Sequence, residues 1–181
     1  MPVPYHRPPP AAQEGCAAFL DVAYARAQHT LIGAILVVDA RGEPLEFVYT
    51  RAEAPTGFMW SETQTRSVGV AAVARALFEA CQREPDLLLC LPQLGSVEYC
   101  KRELAPAIPF VQVTPAEEGG ATGALTWIGN PPDPRMRATG LLQSLTDRGF
   151  LVEPFQRLRA GLEEVYPEVA TGWDSRDSVR A

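Results

Sequence analysis

Acidic side chains are the residues of this chain whose positions best suit chemistry. Asp21 interrupts an otherwise apolar segment, residues 16–24, that is typical of a buried strand. A carboxylate inside such a strand is costly unless it is paired, hydrogen-bonded or bound to a metal ion. We therefore interpret Asp21 as a metal ligand, as the partner of a cation such as Arg26 or Arg51, or as a residue at the solvent end of its strand.

Two further acidic residues lie where predicted helices begin. Ser61 and Gln64 form the pattern of a capping box, and Glu62 falls in the first helical turn, where a negative charge suits the helix dipole. Asp133 precedes a later helix and is most simply its cap. The chain contains no phosphate loop, dinucleotide fingerprint or nucleophile elbow, which argues against a small-molecule enzyme. No complete catalytic set is visible in the sequence.

The composition predicts one acidic α/β domain. The chain has 181 residues, 46% hydrophobic and 21% charged, and a formal net charge of -6, which argues against broad non-specific binding of nucleic acid. No apolar run approaches the roughly 20 residues of a membrane span, and the proline-rich N-terminus lacks the apolar core of a signal peptide, so we expect a cytoplasmic location. The four cysteines form no C-x-x-C pair and accompany only two histidines, so we interpret them as small core side chains and not as zinc ligands.

Hydrophobic periodicity predicts a proline-rich arm over residues 1–13, a single domain over residues 14–166 and a polar tail over residues 167–181. The predicted strands cover residues 16–24, 34–38, 45–50, 86–91, 108–113 and 124–128. The predicted helices cover residues 61–83, 96–104, 131–149 and 153–166, of which the last two form a helical hairpin. Gly69, inside the first helix, predicts close packing of that helix against a strand.

The basic residues concentrate on the helical hairpin, and we interpret them as solvated helix faces. They are Arg135, Arg137, Arg148, Arg157 and Arg159.

The order of elements, three antiparallel strands followed by helix-strand-helix-strand, is that of the ribonuclease H-like fold. Three short stretches within about residues 15–115 resemble the endonuclease V family. The stretch 20–24, Leu-Asp-Val-Ala-Tyr, resembles its first strand; 55–62 resembles a segment that ends in a glutamate; and 85–89, Pro-Asp-Leu-Leu-Leu, resembles its next strand. The resemblance implies an α/β fold with a ribonuclease H-like mixed sheet, and Asp21 and Glu62 as ligands of Mg²⁺ or Mn²⁺.

The chain departs from that family where the third carboxylate is expected, because Cys90, Leu91 and Pro92 occupy the place of the family's Val-Asp-Gly. Asp133 is the candidate replacement ligand. Two carboxylates hold Mg²⁺ poorly, since the ion dehydrates reluctantly. We therefore expect a non-catalytic or degenerate ribonuclease H-like module that binds a partner protein or self-associates. The alternative is a metal-dependent nuclease that acts on nucleic-acid phosphodiesters.

Overall fold

The structure of the chain is a computed structural model, which describes residues 15–25, 29–54, 61–92, 108–115 and 124–167. Within these ranges the side chains of residues 62, 63, 65 and 66 are not described. The predicted arm, the predicted helix over residues 96–104 and most of the predicted tail lie outside the described residues. The division into arm, domain and tail therefore stays a prediction.

Three consecutive strands form the predicted antiparallel meander. They are β1 (Cys16–Ala25), β2 (Thr30–Asp39) and β3 (Pro44–Glu53). The turn between β2 and β3 is held by Asp39, whose carboxylate accepts hydrogen bonds from the backbone N–H groups of Arg41 and Glu43. Gly42 has φ +80, a left-handed conformation that glycine adopts without a steric penalty. The hairpin that the sequence predicts is therefore confirmed.

The rest of the sheet extends from β1 on its other side. Helix α1 (Glu62–Ala80) leads to β4 (Leu87–Cys90), which pairs parallel with β1 and with β5 (Phe110–Thr114). Strand β6 (Ala124–Trp127) closes the described sheet antiparallel to β5, and the strand order is β3-β2-β1-β4-β5-β6. The mixed sheet predicted from the element order is confirmed.

Helices cover both faces of the sheet. One face packs against the buried stripe of α1, which includes Val70, Val73 and Leu77. The other packs against α2 (Arg137–Asp147) and α3 (Glu153–Val165), the predicted helical hairpin. None of the helices in the described ranges is long and apolar enough to cross a membrane.

Two local predictions about helices have different outcomes. Gly69 lies where an added Cβ would collide with Cδ1 of Leu31 on β2, so the predicted close packing of α1 is confirmed. The third predicted helix begins later than the prolines suggested, because α2 starts at Arg137 with Met136 as its N-cap. Asp133 is therefore not the cap of that helix, and our simplest interpretation of it was wrong.

The start of α1 gives a prediction about stability. Ser61 accepts a hydrogen bond from the backbone N–H of Gln64, whose side chain in turn accepts one from the backbone N–H of Ser61, so the capping box is present. We expect Ser61→Ala to lower the free energy of unfolding by about 1 kcal/mol, because the backbone N–H of Gln64 loses its partner. Ser144→Ala, which removes a hydroxyl bonded to the carbonyl of Gly140 inside α2, is the control for chemical denaturation and should change stability less. Equal losses would contradict the capping role.

Candidate functional site

Asp21 lies in the middle of the sheet, on the face that α2 and α3 cover. It follows Phe19 by two residues on β1, and Phe19 packs edge-to-face on Phe155 of α3, with ring centroids 5.1 Å apart. Because side chains two apart in a strand share a face, Asp21 points toward the same helix. Its relative exposure is 4%, so it is one of the few buried polar residues in the described core.

The partner of Asp21 is Arg159 of α3. The Arg159 Nε donates a hydrogen bond to Asp21 Oδ2 at 2.9 Å, and the Arg159 side chain keeps a relative exposure of 33%. The ion-pair interpretation of Asp21 named Arg26 and Arg51 as candidates, yet the cation comes from 138 residues further along the chain.

The helix sequence explains why Arg159 reaches the sheet. Phe155, Leu158 and Leu162 are buried along one stripe of α3, and Arg159 lies four residues after Phe155 on the side of that stripe. An arginine at this spacing covers apolar surface with its aliphatic stem and directs its guanidinium to a polar group. The spacing of four residues between Phe155 and Arg159 is the sequence signal that indicates this position, and the sequence interpretation did not use it.

Arg157 makes a second set of contacts that the sequence interpretation missed. Its Nη2 donates hydrogen bonds to the carbonyl of Gly42 at 2.9 Å and to Glu153 Oε2 at 2.7 Å. These contacts tie α3 to the turn between β2 and β3. The interpretation of Arg157 and Arg159 as solvated side chains was therefore wrong, whereas Arg135, Arg137 and Arg148 are exposed as expected.

Burial dominates the electrostatics of Asp21. Removal from solvent raises the pKa of the Asp21 carboxyl above its ordinary value, and the charge and hydrogen bond of Arg159 oppose that shift. The net direction is upward because the carboxylate loses nearly all of its hydration. The arginine is therefore the principal group that makes the ionised form of Asp21 tolerable in this core.

The other predicted ligands lie elsewhere or outside the description. Asp133 sits in a turn before α2, where its Oδ1 accepts a hydrogen bond from the backbone N–H of Arg135 at 2.8 Å. Its carbonyl accepts hydrogen bonds from the backbone N–H of Met136 and the hydroxyl of Thr139. Glu62 is the first residue of α1, but its side chain lies outside the described part. The assignment of Asp21, Glu62 and Asp133 as metal ligands stays a prediction.

The strand next to Asp21 has an apolar side chain at the position where the resemblance predicts a carboxylate. Cys90 of β4 pairs with Leu20, so the following residue, Leu91, lies beside Asp21. Leu91 is 4% exposed and belongs to the apolar cluster under α2 and α3. Among the described residues, no group of three or more His, Cys, Asp or Glu side chains is arranged to hold a metal ion.

The thiols behave in part as predicted. Cys90 is buried in the core, whereas Cys16 and Cys81 are half-buried, and Cys100 lies outside the described residues. Burial, followed by the nearby Glu46 and Cys16, raises the pKa of the Cys81 thiol to about 11. A thiol with that pKa is protonated at neutral pH, as expected of a small core side chain and not of a nucleophile.

The fold is similar to that of endonuclease V. No protein-family model and no curated protein sequence matches the chain. Endonuclease V from Streptomyces avermitilis superposes with a TM-score of 0.54 at 16% identity, over 84% of this chain and 83% of that one. Endonuclease V from Bacillus subtilis gives a TM-score of 0.41 at 14% identity, over 56% of this chain and 44% of that one.

A third similar structure is Ciona intestinalis endonuclease V in complex with a 24mer DNA that contains an inosine followed by a ribo-adenosine. It gives a TM-score of 0.38 at 12% identity, over 81% of this chain and 56% of that one. The similarity rests on the Streptomyces structure, and at 16% identity it is a similarity of fold alone.

Proposed function

We propose that this chain is a degenerate ribonuclease H-like module that binds a partner protein or self-associates and does not cleave nucleic acid. The observation that carries the proposal is the contact between Arg159 and Asp21, at 2.9 Å. A guanidinium in that position supplies the positive charge that a buried carboxylate requires. The role of the carboxylate is therefore structural, as the partner of Arg159.

The described surroundings of Asp21 argue against a divalent cation at this carboxylate. Mg²⁺ demands a near-octahedral set of oxygen ligands at short distances and keeps several of its waters. Here Oδ2 of Asp21 accepts a hydrogen bond from Arg159, and the side chain beside it on the next strand is Leu91. The charge of the guanidinium repels a second cation at the same carboxylate, and a leucine offers no oxygen.

Cation-dependent stability tests the proposal. Ligands that bind only the folded state raise the melting temperature, so a Mn²⁺ site with millimolar affinity gives a measurable shift at about 10 mM. We expect the melting temperature of the wild-type protein to be the same with Mn²⁺, with Mg²⁺ and with EDTA. An increase with Mn²⁺ that Asp21→Asn abolishes would refute the structural role of this carboxylate.

The alternative function is a metal-dependent nuclease, and the fold it shares with the Streptomyces enzyme is the observation in its favour. DNA containing inosine is the substrate to offer, since the Ciona endonuclease V is bound to such a DNA. We expect no cleavage of this DNA, or of a matched RNA, with Mg²⁺ or Mn²⁺. Cleavage that is lost in Asp21→Asn would establish the nuclease in place of the degenerate module.

A further inference from the structure

The outer edge of β3 carries backbone groups that point away from the rest of the sheet. In the described part of the chain, β3 pairs with β2 and ends the sheet. The N–H of Ala54 donates to the carbonyl of His29, the residue opposite it in the same register. Hydrogen-bonded pairs alternate along an antiparallel ladder. From residue 46 onward, even-numbered residues of β3 therefore bond to β2, and odd-numbered residues direct their N–H and C=O outward.

An aromatic group lies on this edge. Tyr49, in the middle of β3, is 46% exposed and is one of the large exposed hydrophobic side chains of the described surface. Its ring lies 5.8 Å from that of Phe47 and 5.9 Å from that of Tyr166 at the end of α3. Long edge strands with uncharged centres are templates for pairing with another strand, and proteins usually shorten or charge them.

We propose that the edge of β3 pairs antiparallel with β3 of a second copy of this chain, around a two-fold axis at Tyr49. The irregularity in the pairing of β2 and β3 lies opposite Val37 and Val38, so the regular part of β3 runs from residue 46 to the end of the strand. A two-fold axis at Tyr49 uses residues 46–52 of that part. Isologous pairing of this kind needs one surface only, which a single exposed edge provides.

The charges of the strand are compatible with this register. With the axis at Tyr49, Arg51 lies opposite Phe47 of the second copy, and no like charges are opposed. An axis at Arg51 would instead place two guanidinium groups opposite each other. Like charges directly opposite destabilise strand pairing, whereas a cation beside an aromatic ring is favourable.

This inference deepens the proposed module by naming its partner, and it fails separately from the argument about Asp21. We expect the wild-type chain to sediment as a dimer in equilibrium with monomer at concentrations up to about 100 μM, since strand-edge interfaces are small. Tyr49→Lys opposes two ammonium groups and should give a monomer at every concentration. Met136→Lys makes the same change at another exposed site, with 54% exposure, and should leave the dimer intact.

A second variant reports the register directly. Residues in a hydrogen-bonded antiparallel pair have Cα atoms about 5.5 Å apart, within the range of a disulfide. Tyr49→Cys should therefore form an intermolecular disulfide with oxidised glutathione as the two-electron acceptor, and Met136→Cys should not. A wild-type protein that is monomeric throughout, or a Tyr49→Lys variant that still dimerises, would overturn the proposal. A larger complex that forms only with another protein would also overturn it.

Discussion

Replacing Arg159 by methionine should lower the free energy of unfolding by about 3 kcal/mol at pH 8. The substitution keeps most of the apolar volume of the side chain but leaves the carboxylate of Asp21, 4% exposed, without its cation. Removing one partner of a buried ion pair leaves the other charge unpaired, which typically costs about 3–5 kcal/mol. Urea denaturation, followed by circular dichroism, measures the change.

The pH dependence of this loss identifies its cause. Because the pKa of Asp21 is raised in the folded protein, its contribution to stability is fully present below the ordinary carboxyl pKa, about 3.9, and is lost as the pH rises through the folded value. Removal of Arg159 takes away the interaction that opposes the upward shift, so the folded pKa rises further. The difference between wild type and variant should therefore be small near pH 4 and grow toward pH 8.

Two controls separate the ion pair from other effects of charge. Arg148→Met removes an exposed arginine at the end of α2 and should change stability by less than about 0.5 kcal/mol. Asp21→Asn leaves a guanidinium that is 33% exposed and can turn toward water, so we expect a smaller loss, about 1 kcal/mol. An Arg159→Met variant as stable as wild type at pH 8 would mean that the pair does not stabilise the fold.

A double variant tests whether the pair is needed at all. Buried ion pairs can often be replaced by apolar residues of similar volume with little loss, or with a gain, of stability. Asp21→Leu combined with Arg159→Met should therefore be close to wild type in stability. If the double variant is as unstable as Arg159→Met alone, the loss comes from packing of α3 and not from the stranded carboxylate.

The sequence predicted the sheet well because its strands carry strong local signals. The apolar run in β2 and the short run before Cys90 identify central strands, and the alternation after Pro44 identifies the half-exposed β3. The capping box at Ser61 likewise depends only on residues three apart. Signals of this kind are complete within one element, so no knowledge of the tertiary fold was required.

The surroundings of Asp21 could not be predicted in the same way. That Asp21 needs a partner follows from its own strand, but the choice of Arg159 depends on how α3 lies across the sheet. Nearby arginines were the natural candidates, since sequence alone gives no distance between elements 138 residues apart. The start of α2 was placed too early for a related reason, because prolines can open a helix or a turn, and here Asp133 forms a turn first.

Substitution of Gly33 should cause the second large loss of stability, because a side chain of any size at this position in β2 enters the packed core under α1. An added Cβ would lie 2.7 Å from Cγ1 of Val73 and 3.0 Å from Cγ2 of Val22. Both neighbours are β-branched and stiff at χ1, so they cannot rotate away without strain. We expect Gly33→Ala to lower the free energy of unfolding by about 2 kcal/mol, the usual cost of overpacking a core.

The same substitution at Gly140 should have the opposite sign. Gly140 lies on the exposed surface of α2, and an added Cβ there meets nothing within 4 Å. Gly140→Ala should stabilise the protein by about 0.5–1 kcal/mol, because alanine reduces the entropy of the unfolded chain and favours the helix. Urea denaturation of both variants under identical conditions makes the comparison.

A rescue experiment assigns the loss at Gly33 to its contact with α1. Val73→Ala removes the methyl group that the new Cβ would meet, and by itself should cost about 1–2 kcal/mol through lost burial. Combined with Gly33→Ala, it should cost less than the sum of the two single losses, since the added methyl enters part of the space that was opened, although the contact with Val22 remains. Additive losses would contradict this packing of α1 on β2, because residues that do not touch contribute independently to stability.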